Sequence, residues 1–349
     1  MPIDASATAA ARAHLGRLWQ RGRAFLGVEH AILGGAMSWV SERHLVAAIS
    51  NAGGFGVIAC GSLNPAELAA EIEGAYERTK RPFGVNLITL HPELTGLIDV
   101  CMRLKVGHVV LAGGLPPKEA IARIKGGGAK VICFAPTLSV ARKLSRQGAD
   151  AFIIEGMEAG GHIGPVSTNV LAQEILPHLR EVPVFVGGGI GRGESILAYL
   201  EMGASGVQLG TRFVCATESI AHPRFKQAFI RASARDAQPS VQLDPMFPVI
   251  PVRALVNDAT RDFLAAQQQT IERFRGGEID QKEAQLAIEH FWAGALRRAV
   301  IDGDVENGSL MAGQSVGMVT REQPMAEIMA ELIEQAVTAL AERAALAAE

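Results

Sequence analysis

The stretch Ala151-Phe-Ile-Ile-Glu155, followed at once by Gly156-Met-Glu-Ala-Gly-Gly-His162, decides the reading of this chain. A short apolar run closes on a carboxylate and opens into a diglycine and a histidine. Gly160 and Gly161 have no side chains, so a planar ring can lie against the backbone there. His162 beside them carries a side chain able to move protons near neutral pH. The segment reads as a strand end that opens onto an active face.

Runs of the same kind recur along the chain at intervals of about 20–30 residues, separated by segments of helical periodicity. They are Ala31–Gly34, Gly56–Cys60, Phe83–Leu87, His108–Ala112, Lys130–Phe134, Ala151–Glu155, Pro183–Val186 and Gly206–Leu209. Eight such runs alternating with helices predict an α/β fold, the parallel (β/α)8 or TIM barrel. Between them, Pro65–Tyr76 shows Leu68, Ile72 and Tyr76 at helical spacing, with Asn64 placed to cap it. Thr137–Gln147 repeats the pattern and stops at Gly148, and Gly193–Leu200 leads to Gly203.

After the eighth run the pattern changes. Gln238–Val252 is irregular and rich in proline, Thr260–Arg275 is a polar helical stretch, and Gln281–Val300 reads as a second helix. This predicts a helical insertion or lid over the barrel mouth. The Gly-rich segment Asp302–Gly317 returns to the barrel, and an amphipathic helix over Pro324–Ala347 closes it. The expected division is a barrel over residues 1–218, an insertion over 219–300, and a return segment with closing helix over 301–349.

Composition narrows the class of function. The chain has 349 residues, 48% of them hydrophobic, which allows a large buried core. Lys plus Arg is 33 and Asp plus Glu is 36, so the net charge of −3 argues against nucleic acid as the main partner. Cys60, Cys101, Cys133 and Cys215 form no Cys-x-x-Cys pair and stand at no metal-ligand spacing, so buried thiols in a reducing compartment, and no metal, are expected. No stretch is long and apolar enough to span a bilayer, and the N-terminal region lacks the apolar core of a secretory signal, so a cytoplasmic protein is expected. Residues 9–24, rich in Ala and Arg, read either as a helix packing under the barrel or as an organelle transit segment.

Barrel enzymes carry their sites at the C-terminal strand ends, with phosphate often held by the last two loops. Here the seventh run leads into Gly187-Gly-Gly-Ile-Gly-Arg-Gly193 and the eighth into Gly210-Thr211-Arg212. Both offer backbone N–H groups, and Thr211 adds a hydroxyl, so they read as a phosphate cup or as tight turns needing glycine for geometry. Gly187–Gly193 is not a dinucleotide fingerprint, which belongs after the first strand of a doubly wound sheet. Gly34-Gly35-Ala36-Met37 ends the first strand with small residues and a soft methionine, suited to a flat ring. Asn86 and Gln208 close apolar strands with neutral amides that fit a ring edge or a turn. His162 is either functional or bonded structurally to the loop, and Glu155 is placed to orient a ring.

Together these residues resemble the flavin barrel superfamily of 2-nitropropane dioxygenases, or nitronate monooxygenases, over nearly the whole chain. The segments that carry the resemblance are Glu155–Gly164, Val207–Phe213, Asp302–Gly317, Ala52–Val57 and Phe83–Leu87. Within that group the chain is most similar to the FMN-dependent enoyl-acyl-carrier-protein reductases, a branch favoured by Asp302–Gly317. The resemblance implies non-covalent FMN. Gly35, Ala36, Met37 and Asn86 would lie along the ring and ribityl chain, with Gly160 and Gly161 beside them. Gly188, Gly189, Gly210 and Thr211 would hold the phosphate, with Gln208 close by. Met311, Gly313 and Gln314 would close over the ring, and His162 would be the catalytic histidine. Two departures stand out: the family commonly reads Gln-Gly-Gly-Met after the first strand, and its nitronate-oxidising members usually carry Gln where Glu155 stands.

The function expected is therefore an NAD(P)H-linked reduction of enoyl thioesters. Nitronate oxidation with O2 and quinone reduction are the competing readings. An acyl carrier protein as partner would need a basic surface near the mouth, for which Arg78, Lys80, Arg81, Arg224 and Lys226 are candidates. A homodimer is carried as a further partner expectation.

Overall fold

The computed structural model describes residues 5–249, 251–292 and 294–346. Helices α1 (Ala5–Leu18) and α2 (Gln20–Leu26) precede the first strand. The barrel strands are β1 (Ile32–Gly34), β2 (Gly56–Ala59), β3 (Phe83–Ile88), β4 (His108–Ala112), β5 (Lys130–Phe134), β6 (Ala151–Glu155), β8 (Val184–Gly187) and β9 (Gly206–Leu209). A two-residue strand, β7 (Gly161–His162), lies between β6 and β8 and belongs to a separate sheet. All eight barrel strands pair in parallel in the order β1-β9-β8-β6-β5-β4-β3-β2. Phe55 completes the ring: it donates to Ile32 O at 2.8 Å and accepts from Gly34 N at 2.9 Å. The expected TIM barrel is thus the fold observed.

The strands are buried on both faces along most of their length, which is why they read in the sequence as largely apolar runs. The seventh run begins one residue later than expected, because Pro183 has no N–H to give the ladder. On the outside lie α3 (Arg43–Asn51), α4 (Pro65–Arg78), α5 (Leu94–Arg103), α6 (Lys118–Gly126), α7 (Leu138–Gln147), α8 (Thr168–Ile175) and α9 (Gly193–Glu201). Asn64 caps α4 as expected and forms a full capping box with Glu67. Gly148 ends α7 in the left-handed conformation at φ 102°.

The N-terminal helices close the barrel floor. Ala11, Leu15, Trp19 and Leu26 join the main core. Phe25 meets His108 edge-on with ring centroids 5.4 Å apart. Its carbonyl pairs with His108 Nε2 at 3.0 Å and with Lys130 Nζ at 2.6 Å. Burial holds the His108 imidazole far below its ordinary 6.5, at about 4.

Beyond β9 come α10 (Pro223–Arg231), β10 (Ala237–Pro239), β11 (Val252–Leu255), α11 (Asp258–Arg275), α12 (Gln281–His290), α13 (Ala295–Val300) and α14 (Met325–Leu346). Two expectations change here. The stretch read as irregular is flanked by β10 and β11, which pair antiparallel. The single helix expected over Gln281–Val300 is broken, because Gly294 takes a left-handed φ of 73° before α13. The last residue expected in the closing helix, Ala347, lies outside the described residues. Phe247, Phe263, Ile271, Ala284 and Ile288 form a second buried cluster, apart from the main core. Phe225, Phe229, Ala299 and Val300, from α10 and α13, pack into the main core instead.

Candidate active site

Register sets the centre of the mouth. Glu155 on β6 stands level with Gly187 on β8, and Gly187 stands level with Gln208 on β9. Gly187 leaves the space between its neighbours open: a Cβ there would sit 3.4 Å from the Gln208 amide nitrogen and 3.5 Å from Glu155 Oε2. Gln208 Nε2 donates to Glu155 Oε2 at 3.0 Å across that gap. Burial in the barrel end pushes the Glu155 carboxyl up from 4.5 to about 7, against the pull of that hydrogen bond. On the facing wall, Asn86 is 5% exposed, and its Oδ1 is buried with no hydrogen-bond partner. A buried amide oxygen left unpaired costs desolvation free energy, so it marks a place where a donor belongs.

The His162 loop is held from outside the barrel. β7 pairs antiparallel with β11, His162 opposite Val252 and Gly161 opposite Arg253. Met311 bridges Ala254 one residue further along that same edge of β11, the opposite edge being taken by β10, so Gly161, His162 and Met311 are carried by one small sheet. A Cβ on Gly161 would come within 3.5 Å of Met311 Sδ. His162 is exposed at the opening, while the walls around it hold its imidazole below the ordinary histidine value. Gly160 and Gly313 lie backbone to backbone: a Cβ on Gly160 would meet Gly313 N at 2.6 Å, and one on Gly313 would meet Glu158 O at 2.7 Å. Gln314 N donates to that same Glu158 carbonyl at 2.9 Å. Gly160 therefore admits the return segment, which the sequence had not shown.

The two loops expected to form a cup lie side by side. Gly188 and Gly189 take left-handed φ values of 98° and 72°. A Cβ on Gly188 would strike Thr168 Oγ1 at 2.8 Å. Thr168 is in turn fixed by Glu158, whose Oε2 accepts from its N–H at 2.9 Å and its hydroxyl at 2.8 Å. Thr211 Oγ1 accepts from Gly313 N at 2.9 Å and keeps its own proton to donate. Below the cup, Arg212 is 2% exposed and pairs with Glu331 of α14 at 3.1 Å.

The β1 end completes the ring of small residues. A Cβ on Gly35 would lie 3.3 Å from Gly210 Cα, and one on Gly210 would lie 3.4 Å from Met37 Sδ. Ser41 ties the turn, donating to Gly35 O at 2.8 Å and accepting from Met37 N at 3.0 Å. That turn forces Trp39 to φ 67°, an outlier for a bulky residue, and Arg297 of α13 lies over its ring at 5.7 Å.

The structure gathers Gly35, Met37, Glu155, Gly160, Gly161, Gly188, Gly189, Gln208, Gly210, Thr211, Met311, Gly313 and Gln314 through these contacts, with Ala36 between Gly35 and Met37. Lys226, offered as part of a basic surface, is 4% exposed and its Nζ is spent on Ala216 O and Glu322, so it leaves that set. Sequence reasoning missed Thr168 and Arg253. Arg253 had one faint signal, a lone charge inside the apolar run Val252–Val256.

A family model described as nitronate monooxygenase matches residues 20–102 and 93–335. The chain belongs to the nitronate monooxygenase family. It is an oxidoreductase of that family of flavoproteins. A Mycobacterium tuberculosis relative named as (3aS,4S,5R,7aS)-5-hydroxy-7a-methyl-1-oxo-octahydro-1H-indene-4-carboxyl-CoA dehydrogenase is 30% identical over 92% of this chain and 97% of its own. A probable nitronate monooxygenase of Staphylococcus aureus is 26% identical over 91% and 98%. Among solved structures, FabK of Thermotoga maritima superposes with a TM-score of 0.84 at 35% identity, covering 93% of this chain and 98% of that one. Nitroalkane oxidase of Streptomyces ansochromogenes does so with 0.75 at 28%, covering 93% and 99%. No helix among the described residues is long and apolar enough to cross a membrane.

Proposed function

We propose that this nitronate monooxygenase family member is an FMN-dependent NAD(P)H oxidoreductase that reduces the 2,3-double bond of enoyl thioesters. One observation carries the reading: a carboxyl raised toward neutrality and a buried, unpartnered amide oxygen face the same barrel opening, beneath an exposed histidine. The residues fit the cofactor. Asn86 Oδ1 awaits a donor such as a ring or ribityl group supplies, and the side-chain-free surface of Gly35, Gly187 and Gly210 suits a flat ring. Gly188, Gly189, Gly210 and Thr211 would take the phosphate.

FMN, when bound, supplies a centre that accepts and releases hydride. The chain's own residues then position, shield and move protons. Glu155 and Gln208 would fix the polar edge of the ring. Met311, Gly313 and Gln314 would keep water from it. His162, neutral at pH 7, would donate a hydrogen bond to the thioester oxygen as charge develops there, or relay the proton that completes reduction.

Thioester chemistry is favoured over nitronate oxidation by two observations. The likeness to FabK is at higher identity than that to nitroalkane oxidase, and the Mycobacterium tuberculosis relative is named for a CoA thioester. The family resemblance, which implies Gln at the place of Glu155 in nitronate oxidisers, points the same way. Nitronate oxidation remains the second reading, favoured by the name of the family model and of the Staphylococcus aureus relative. Residues 219–300 would act as the lid, and the four buried free thiols suit a cytoplasmic setting.

The test is an anaerobic mix of the FMN-loaded protein with NADH or NADPH. Bleaching of the flavin absorbance, then recolouring by an enoyl thioester, is the expected outcome. Bleaching by an alkyl nitronate but by neither nucleotide would install the second reading, and failure to bind FMN would overturn both.

A further inference from the structure

Arg253 is a buried charge that none of these steps uses. It is 3% exposed, in the middle of β11, and among the described residues no carboxylate lies within ion-pair distance. Burial lowers its pKa, against the opposing pull of the Glu158 charge. A guanidinium is kept in such a place only where its donors are needed. Its Nε donates to Met157 O at 2.9 Å, and its Nη1 donates to Ala237 O at 2.6 Å.

The two ends of the His162 loop meet at this residue. Met157 starts the loop two residues after Glu155, and Gly161, opposite Arg253 in the sheet, ends it beside His162. Ile163 N donates to Pro251 O at 3.0 Å, which extends the same pairing. Further along the same edge of β11, Ala312 N donates to Arg253 O at 3.3 Å and Leu255 N donates to Leu310 O at 2.9 Å. The guanidinium thus pins the start of the loop, and the backbone of the same residue pins its end and the return segment bearing Met311 and Gln314.

We infer that Arg253 is the positioning residue of His162: it clamps both ends of the loop Gly156–His162 and so makes the insertion part of the mouth's assembly. The inference rests on the proposed role of His162. A planar fork reaches two carbonyls in different directions, whereas a lysine ammonium on a flexible stem reaches one of them with little orientation. The barrel residues Gly35, Gly187, Gly210 and Asn86 do not depend on this clamp, so cofactor binding and turnover should separate.

The experiment compares the FMN-loaded wild type with Arg253→Met and Arg253→Lys. FMN affinity, kcat and KM for an enoyl thioester, and backbone hydrogen exchange by mass spectrometry are measured. In Arg253→Met, FMN affinity should stay within a few-fold while kcat falls by about 10- to 100-fold, as misplacement of a catalytic group by an ångström produces. Exchange should accelerate in residues 156–164 and 309–315 and not in β3, β4 and β5. Arg253→Lys should recover part of both. Unchanged kcat and exchange in Arg253→Met would overturn the inference. So would a general loss of protection together with FMN, which would make Arg253 a residue of the fold at large. If His162→Ala itself leaves turnover intact, the role of His162 fails, while the exchange pattern still reports whether Arg253 clamps the loop.

Discussion

The two ends of this barrel each hold a histidine in confined surroundings, and they treat it differently. At the floor, His108 is packed between Phe25 and Phe55 and its Nε2 is paired with a carbonyl. At the mouth, His162 is exposed on a two-residue strand, above a carboxyl at about 7 and an unpaired amide oxygen. The buried histidine of the floor has met its polar requirement within the chain, and the buried amide oxygen of Asn86 at the mouth has not. Unmet requirements cost stability, and a protein keeps them where a ligand will meet them.

Replacement of the mouth histidine should break activity most. His162→Ala is expected to lower turnover by about 10²- to 10⁴-fold while leaving FMN bound and the thermal midpoint little changed. Steady-state rates beside an absorbance spectrum check this. Gly188→Val comes next. A valine at φ 98° is strained and drives its Cβ into Thr168, so it should cost about 2–4 kcal/mol and weaken FMN binding, read by denaturant melts and cofactor titration.

The two titrating groups sharpen the comparison through pH. The Glu155 carboxyl has a folded value near 7 against an ordinary 4.5, so the cofactor-free fold holds its proton more tightly than the unfolded chain does. That stabilisation is full below pH 4.5 and is lost as pH rises to 7, a span of about 3 kcal/mol. The His108 imidazole, near 4 against 6.5, works in the opposite sense: its contribution is full above pH 6.5 and is lost, by about 3 kcal/mol, as pH falls to 4. In the wild type the two slopes largely cancel over their shared range. Glu155→Gln should uncover a stability that falls toward acid, and His108→Phe one that rises toward acid, in denaturant melts from pH 4 to 8. His108→Phe should leave turnover at pH 7 near wild type. The smallest effect is expected at Asn64→Ala, which removes the α4 cap for about 1 kcal/mol and touches neither end.

The barrel was legible because its strands are buried along most of their length, so β4, β5, β6 and β9, largely apolar, have the bounds expected from the sequence. The residues at the strand ends were legible for a related reason: Glu155, Asn86 and Gln208 interrupt such runs with polar groups. What the sequence hid depends on contacts between distant segments. β7 is two residues long and exists through its pairing with β11, some ninety positions away in the chain. Gly160 reads as room for a ring, yet the backbone of Gly313 occupies its open side. Arg253 becomes meaningful once Met157 and Ala237 are seen to share it.

The most direct test of chemistry at the mouth is an anaerobic single-turnover experiment on the reduced, FMN-loaded protein, comparing wild type with His162→Ala. The rate of flavin recolouring by an enoyl thioester is the quantity measured. Fast recolouring in the wild type, slowed by two orders of magnitude or more in a variant that still binds FMN, is the result predicted. Recolouring of the variant at the wild-type rate would contradict it.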